Sequence, residues 1–416
     1  MIRRIVAIAF IFFCTTVAWL ILGTTISMRT GSSNEQLQGH VASTWGTTQE
    51  QSPVSAFYKK TELSAVTEQQ QGKTVIRNDK VERRIPLPLD STRVNVNLQL
   101  DHRQKGLLWY STYAVDFAGE YKFRNDTSES QVVEVFLPFP AEHALYDGLL
   151  MKVNGKEMST VTAGSGASVA ATIEPGQTAD VQVAYHSQGL NSWRYRLGEG
   201  IAQVRDFALT MNTNFKDIDF ADDTLSPTAK QEQRAGWRLT WQYSNLISGF
   251  QIGMTMPENL QPGPLAGQIS YFAPVSLFFF FFLMFILTTL RKIDLHPMNY
   301  FFLATAFFAF HLLLAYLVDH ISIHVAMILA SLVSIALVVS YLRLVVGTRF
   351  AAVEAGGAQF IYLVLFSYAF FWKGYTGLSI TIISILTLFV VMQATARVRW
   401  SEQFSAPLAT PIRGQA

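Results

Sequence analysis

Cysteine occurs once in 416 residues, so no disulfide can close within the chain. Charge is scarce as well: Asp, Glu, Lys and Arg make up 15% of the residues and the formal net charge is +2, which gives no basic field for nucleic acid. The motifs that announce common chemistry are missing too. No Walker loop, nucleophile elbow, zinc-protease helix or Gly-rich dinucleotide turn occurs, and Gly164-Ser165-Gly166 is a lone flexible loop rather than a phosphate cradle. Asp222-Asp223 and Glu142-His143 are isolated in sequence. The chain therefore reads as non-enzymatic, with no catalytic residue, cofactor or bound metal indicated.

Long apolar runs are what the sequence has instead. Residues 5–23, 271–290, 298–317, 325–342, 358–372 and 376–395 are almost free of charge, and a helix needs about 20 such residues to cross a hydrocarbon layer. The fifth is the shortest. Arg3 and Arg4 precede the first run, Arg291 and Lys292 follow the second, Arg343 and Arg349 the fourth, and Arg397 and Arg399 the sixth. With six crossings these clusters fall on one side, which the positive-inside rule makes cytoplasmic. Both termini are then expected in the cytoplasm and residues 25–268 outside, in the periplasm of a Gram-negative cell. The first run exceeds a signal-peptide core and no A-x-A site follows it, which favours an uncleaved anchor. Tyr271, Trp372 and Trp400 sit near span ends, where amphipathic rings anchor at headgroups.

Between the first two runs the composition changes. Residues 25–84 are rich in Gln, Ser and Thr and read as a polar stalk, helical or loose. Beyond residue 85, Val94, Val96, Leu98 and Leu100 alternate with polar residues, the period of a strand with one buried face. Asn154-Gly155 is a hairpin signal and Pro175-Gly176 a turn signal. Trp237, Leu239 and Trp241 share one face of a later strand. Residues 85–256 are thus predicted to form a β-sandwich, followed by a Pro/Gly linker over 257–268, a five-helix bundle over 269–400 and a tail over 401–416.

The string Leu295-His296-Pro297-Met298-Asn299-Tyr300, the apolar helix after it, Asp319-His320-Ile321 and Ala330-Ser331-Leu332 resemble the CreD family of inner-membrane proteins. Trp45-Gly46, Gln49, Ser52-Pro53 and Tyr58 resemble an early family stretch, with Ser52 where Gly is usual and Phe57 where Pro is usual. The spacings after Gln49 and Pro53 are each one residue shorter than in that stretch. Met392, Thr395 and Trp400 resemble the family's closing motif. Thr288 stands where the family commonly has a glutamate, and Ser367-Tyr368 replaces its acidic pair. The resemblance implies an inner-membrane protein tied to envelope integrity, colicin tolerance and cell-wall stress.

Within the spans and their turns the candidate functional residues are His296, His311, Asp319, His320 and His324, because ionisable groups in or beside a membrane are costly to keep. Topology places His296 in a cytoplasmic loop and Asp319, His320 and His324 in one external turn. Those three are ligand types that zinc accepts, but no fourth ligand accompanies them, so the preferred reading is a polar turn, with Asp319 as a helix cap. His311 is expected to hydrogen-bond to a neighbouring helix. The Phe278–Phe282 run reads as a lipid-facing or interhelical surface. Trp109, Tyr110, Trp193 and Trp237 are candidate contacts for a partner, weighed against core packing. The leading expectation is an inner-membrane scaffold or sensor in contact with membrane lipids, whose β domain binds another envelope protein. The alternative is a transporter or lipid-handling protein, against which stands the lack of charged midplane residues and broken helices.

Overall fold

The computed structural model describes residues 2–396 except 71–72, 106–107, 143, 199, 201 and 373. His143, Arg397, Arg399, Trp400 and the expected tail over 401–416 lie outside the described residues. The chain divides into two compact units, one of residues 1–35 and 260–416 and one of residues 36–259.

The first unit is helical. Among the described residues, six helices are long and apolar enough to cross a membrane: α1 (Ile2–Trp45, apolar from Arg3), α2 (Pro262–Leu290), α3 (Pro297–Leu317), α4 (Ile323–Val346), α5 (Phe350–Phe371) and α6 (Thr376–Thr395). The helix starts follow local rules. Pro262 and Pro297 open α2 and α3, where a missing N–H removes no helical bond, and the His296 side chain accepts from the Met298 N–H. Leu277, Phe280, Met284, Leu303, Phe307, Phe310, Ala326 and Ala330 fill the interior. Phe278 faces outward at 52% exposure while Phe280 and Phe281 are buried, so the phenylalanine run serves both the bundle and the surface.

The second unit is built from sixteen described strands: β1 (Gln49–Gln51), β2 (Ser55–Gln70), β3 (Lys73–Pro86), β4 (Leu89–Lys105), β5 (Leu108–Arg124), β6 (Gln131–Pro138), β7 (Tyr146–Val153), β8 (Lys156–Glu157), β9 (Val161–Ala163), β10 (Gly166–Ile173), β11 (Thr178–Leu190), β12 (Ser192–Tyr195), β13 (Ala202–Thr213), β14 (Ala229–Glu232), β15 (Trp237–Ser248) and β16 (Ile252–Thr255). They form sheets in the orders β1-β12-β16, β3-β2-β6-β10-β9 and β14-β15-β13-β4-β5-β11-β7-β8. Val94, Val96 and Leu98 turn inward from β4 as their alternation dictates. Asn154 and Gly155 both adopt positive φ at the tight turn joining β7 and β8. One apolar core, with Ala56, Val96, Val133, Tyr185, Trp193 and Met254 among its members, is shared by all three sheets.

Three expectations need correction. The predicted stalk over 25–84 does not exist as a separate element: α1 continues to Trp45, and the rest enters the sheets as β1, β2 and β3. The predicted sandwich gives way to three sheets with two parallel pairings, β1 with β12 and β4 with β13. The fifth span begins at Phe350 rather than 358 and includes Glu354.

The passage from α1 into β1 rests on Gly46. Its φ is +125°, and a Cβ there would lie 2.4 Å from the Gln188 carbonyl oxygen. Left-handed backbone and steric overlap act together, so Gly46→Ala is expected to cost about 1–3 kcal/mol. Tryptophan fluorescence during thermal unfolding of the purified full chain checks this; a variant as stable as the parent would contradict it.

Candidate functional site

The early family-like stretch, residues 45–58, becomes the joint of the β domain. Strand alternation sends the side chains of Gln49 and Gln51 inward, where both are fully buried, and turns Glu50 outward. Gln49 Nε2 donates to Ser187 Oγ at 2.7 Å and to the Gln188 carbonyl at 2.8 Å. Gln51 Nε2 donates to the carbonyls of Ser52 at 2.6 Å and Pro138 at 3.1 Å, while its Oε1 accepts from the Tyr185 hydroxyl at 2.5 Å. The main chain adds a bond from Glu50 N–H to the Pro140 carbonyl and one from Arg196 N–H to the Gln51 carbonyl. A three-residue strand thus joins β12 along its edge, β11 through its side chains and the end of β6.

Around it lies a set of buried phenols. Tyr121 and Tyr195 hydroxyls are 3.3 Å apart and the Tyr113 hydroxyl donates to the Ser192 carbonyl at 2.8 Å. Burial holds Tyr113, Tyr121, Tyr185 and Tyr195 well above the usual phenol range and pushes Tyr146 up to about 12. These hydroxyls remain neutral donors at physiological pH. On the outer side, the Arg196 guanidinium bonds Glu50, and Gln251 Nε2 donates to it at 2.8 Å. Arg103 covers the Trp45 ring at 3.4 Å, a cation–π contact at the end of α1.

The helical unit has its own polar interior. Gln359 is fully buried and its Nε2 donates to Ser334 Oγ at 2.7 Å, which in turn donates to the Ala306 carbonyl at 2.6 Å. Ser276 donates to the Tyr362 carbonyl, and the Tyr362 and Thr387 hydroxyls are 2.6 Å apart. Five helices are tied together in this way. The helix that carries Gln359 is irregular: Phe350–Ala355 and Phe360–Leu365 are π-helical, and Ala369–Phe371 closes as a 3₁₀ turn. Widened turns of this kind gather at functional positions. The expectation of unbroken spans therefore fails at α5. Glu354, mostly buried, pairs with Arg291 at the end of α2.

The residues singled out from sequence do not meet in one place. His296 is an exposed N-cap, with the Met298 N–H donating to its Nδ1 at 3.2 Å. His311 is buried, but its Nδ1 lies 3.1 Å from the Phe307 carbonyl of its own helix, not a neighbouring one, and its ring packs against Trp19 and Phe310 at 5.6 and 4.9 Å. Asp319 forms an ion pair with Arg29 at 2.9 Å rather than capping a helix, and Arg29 also donates to the Ala315 carbonyl at 2.8 Å. His320 and His324 are exposed, and His324 stacks on Phe371 at 5.1 Å. Among the described residues no group of three His, Cys, Asp or Glu side chains is placed to hold a metal. Trp193 and Tyr110 are buried in the β domain and so are not contact residues. Trp237 is half-buried with its Nε1 donating to the Lys216 carbonyl, and Trp109 is half-buried too.

Sequence reasoning met Gln49 only as part of the family-like stretch and missed Gln51, Arg29, Ser334 and Gln359. The signal for Gln51 was present: its place two residues from Gln49 is strand spacing, masked by amide side chains where apolar ones were sought. Gln359 was legible as the one amide in an otherwise apolar run.

Hydrogen bonding by Arg196 lowers the Glu50 carboxyl below its usual range, and hydrogen bonds from Arg93 and Ser91 lower Asp206. A depressed carboxyl stabilises the fold above its unfolded pKa, about 3.9–4.3, and that contribution is lost as pH falls through the folded value. Unfolding of the full chain followed by fluorescence is expected to show an acid limb below about pH 4 that Glu50→Gln makes shallower. An unchanged limb would mean that Glu50 is not coupled to folding.

Among curated proteins none matches the chain. Solved structures with some likeness include a protein described as nutrient-binding from Legionella pneumophila, at 13% identity and TM-score 0.30 over 47% of this chain and 74% of that one. An M1 zinc metallopeptidase from Deinococcus radiodurans shows 12% identity and TM-score 0.26 over 40% of this chain and 42% of its own. An aminopeptidase N family protein from Idiomarina loihiensis shows 11% identity and TM-score 0.20, over 45% and 36%. The chain spans less than half the length of either peptidase. A family described as inner membrane protein CreD matches residues 1–401, essentially the whole sequence. With its apolar helices and the Trp45–Tyr58 stretch built into its β domain, the chain belongs to the CreD family of inner membrane proteins.

Proposed function

We propose that this protein is a non-enzymatic scaffold or sensor of the cell envelope, whose β domain faces the periplasm and binds another envelope protein. The observation that supports this reading most is a groove of about 950 Å³ on the β domain. Outward side chains of β2, β6 and β10, including Phe57, Lys59, Val132, Glu134 and Ala170, line it together with residues 156–159 and Val161. Val132 and Val161 are 67% and 68% exposed. Exposed apolar surface flanked by Lys59, Lys156, Glu134 and Glu157 combines an apolar centre with a charged rim, the composition of a protein-binding patch. In this reading both termini are cytoplasmic, in keeping with Arg3, Arg4, Arg291, Lys292, Arg343 and Arg349 at the helix ends.

A second reading, transport or lipid handling by the bundle, draws on the irregular α5 and its buried Gln359. Photocrosslinking separates the two. A photoreactive amino acid at Val132 or Val161 of the full chain in cells is expected to capture one dominant envelope protein, identified by mass spectrometry. A probe at Arg238, on the eight-stranded sheet, is expected not to capture it. Lipid adducts alone would refute the scaffold reading and support the second.

A further inference from the structure

Between α1 and α2 runs a groove of about 350 Å³, lined by Ile5, Ile8, Phe12, Phe278, Phe282 and their neighbours. Its volume is within the range of small-ligand sites, about 300–1,000 Å³. Helical spacing explains the wall on each side. Ile5, Ala9 and Phe12 recur along one stripe of α1, and Phe278, Phe282 and Phe285 along one stripe of α2. Phe278 and Phe282 stack in parallel 6.2 Å apart, and Phe12 meets Phe278 edge-on at 6.2 Å. The lining carries no hydrogen-bonding side chain, so an occupant in the groove must be apolar along its length.

One end of the groove is different. Arg4 lies one turn before Ile8 on the same face of α1. Its NH1 reaches Asp294 at 3.2 Å, and Asp294 is 95% exposed, which marks this end as the water-facing edge. The Nε and NH2 of Arg4 are shielded from solvent and have no partner. Leaving charged donors unmade is costly. Nε and NH2 form the side-on edge of a guanidinium, the pair that binds two phosphate oxygens at once. With Arg4, Arg291 and Lys292 at the end of α2 face the carboxylates of Asp294 and Glu354.

From this juxtaposition we infer that the α1–α2 groove is a binding site for an anionic glycerophospholipid. An acyl chain lies along Ile8, Phe12, Phe278 and Phe282, and the phosphate takes the side-on edge of Arg4 after a rotation of that long side chain. An apolar helix from a second protein would fill the length with its carbonyls already bonded along its own backbone, whereas a glycerophospholipid joins an apolar chain to a phosphate acceptor. The surplus of cations at this edge favours a net-negative headgroup over a zwitterionic one. The inference is independent of the scaffold reading, since it concerns what the membrane unit holds and not what the β domain binds.

Native mass spectrometry of the detergent-solubilised full chain, titrated with dioleoyl phosphatidylglycerol or dioleoyl phosphatidylethanolamine, tests it. The parent is expected to retain phosphatidylglycerol preferentially. Arg4→Gln is expected to weaken that binding about tenfold, the scale of one charge-assisted bidentate contact, and to weaken phosphatidylethanolamine as well, because it offers the same phosphate to Arg4. Ala9→Trp, at an exposed position that lines the groove, is expected to remove both. Arg3→Gln, at the exposed neighbouring position, is expected to change neither. Equal binding of phosphatidylglycerol by Arg4→Gln and the parent, retention by Ala9→Trp, or an equal loss in Arg3→Gln would each overturn the site.

Discussion

Two buried amides on a three-residue strand hold the β domain together. The amide donors of Gln49 and Gln51 satisfy main-chain carbonyls on several strands, and Gln51 Oε1 accepts from Tyr185, which aliphatic side chains in the same positions cannot do. The bonds they make reach β11 and the end of β6, while the backbone of β1 pairs with β12. Each of the three sheets is therefore tied to the same short segment. Inside a low-dielectric core such bonds are strong when complete and expensive when broken, so the strand specifies one arrangement of sheets that share an apolar interior. The neighbouring tyrosines extend the effect, because their hydroxyls stay neutral and bonded across the physiological range.

This arrangement explains which parts of the molecule could be read from the sequence. The apolar helices were legible because twenty apolar residues in a row have few other solutions. β4 was legible because Val94, Val96 and Leu98 follow a period of two with apolar side chains turned inward. β1 follows the same period with amides inward, and a search for apolar alternation reads it as polar chain. The predicted stalk arose there. Similarly, Glu354 interrupts the apolar start of α5, although Arg291 neutralises it in the fold. The aromatic contacts proposed at Tyr110 and Trp193 failed because a large ring fills a core as well as it fills an interface, and these two are buried.

The helical unit follows a related economy at a different scale. Its interior is mainly Phe, Leu and Ala; Ser276, Ser334, Gln359 Nε2 and the Tyr362–Thr387 pair bond to main-chain carbonyls or to one another, while Gln359 Oε1, Trp19 Nε1 and the Tyr300 hydroxyl have no partner. His311 shows the same behaviour, bonding to a carbonyl of its own helix among aromatic rings. Polar side chains in this unit thus pin helices in place where apolar contact alone has little directional preference. At the edges, Arg29 is joined to Asp319, whereas Arg4 leaves two donors unmade beside an apolar groove, the pair that the proposed lipid phosphate completes.

Hydrogen exchange on the full chain carrying Gln51→Leu tests the central role of β1 most directly. Leucine keeps the position filled but leaves the Tyr185 hydroxyl and the Pro138 carbonyl without their partner. The account predicts faster exchange at residues 49–58 and along β12, with the β4–β5 hairpin keeping its protection. Protection of β12 unchanged from the parent would contradict it, and would show that the apolar core alone sets the arrangement of the sheets.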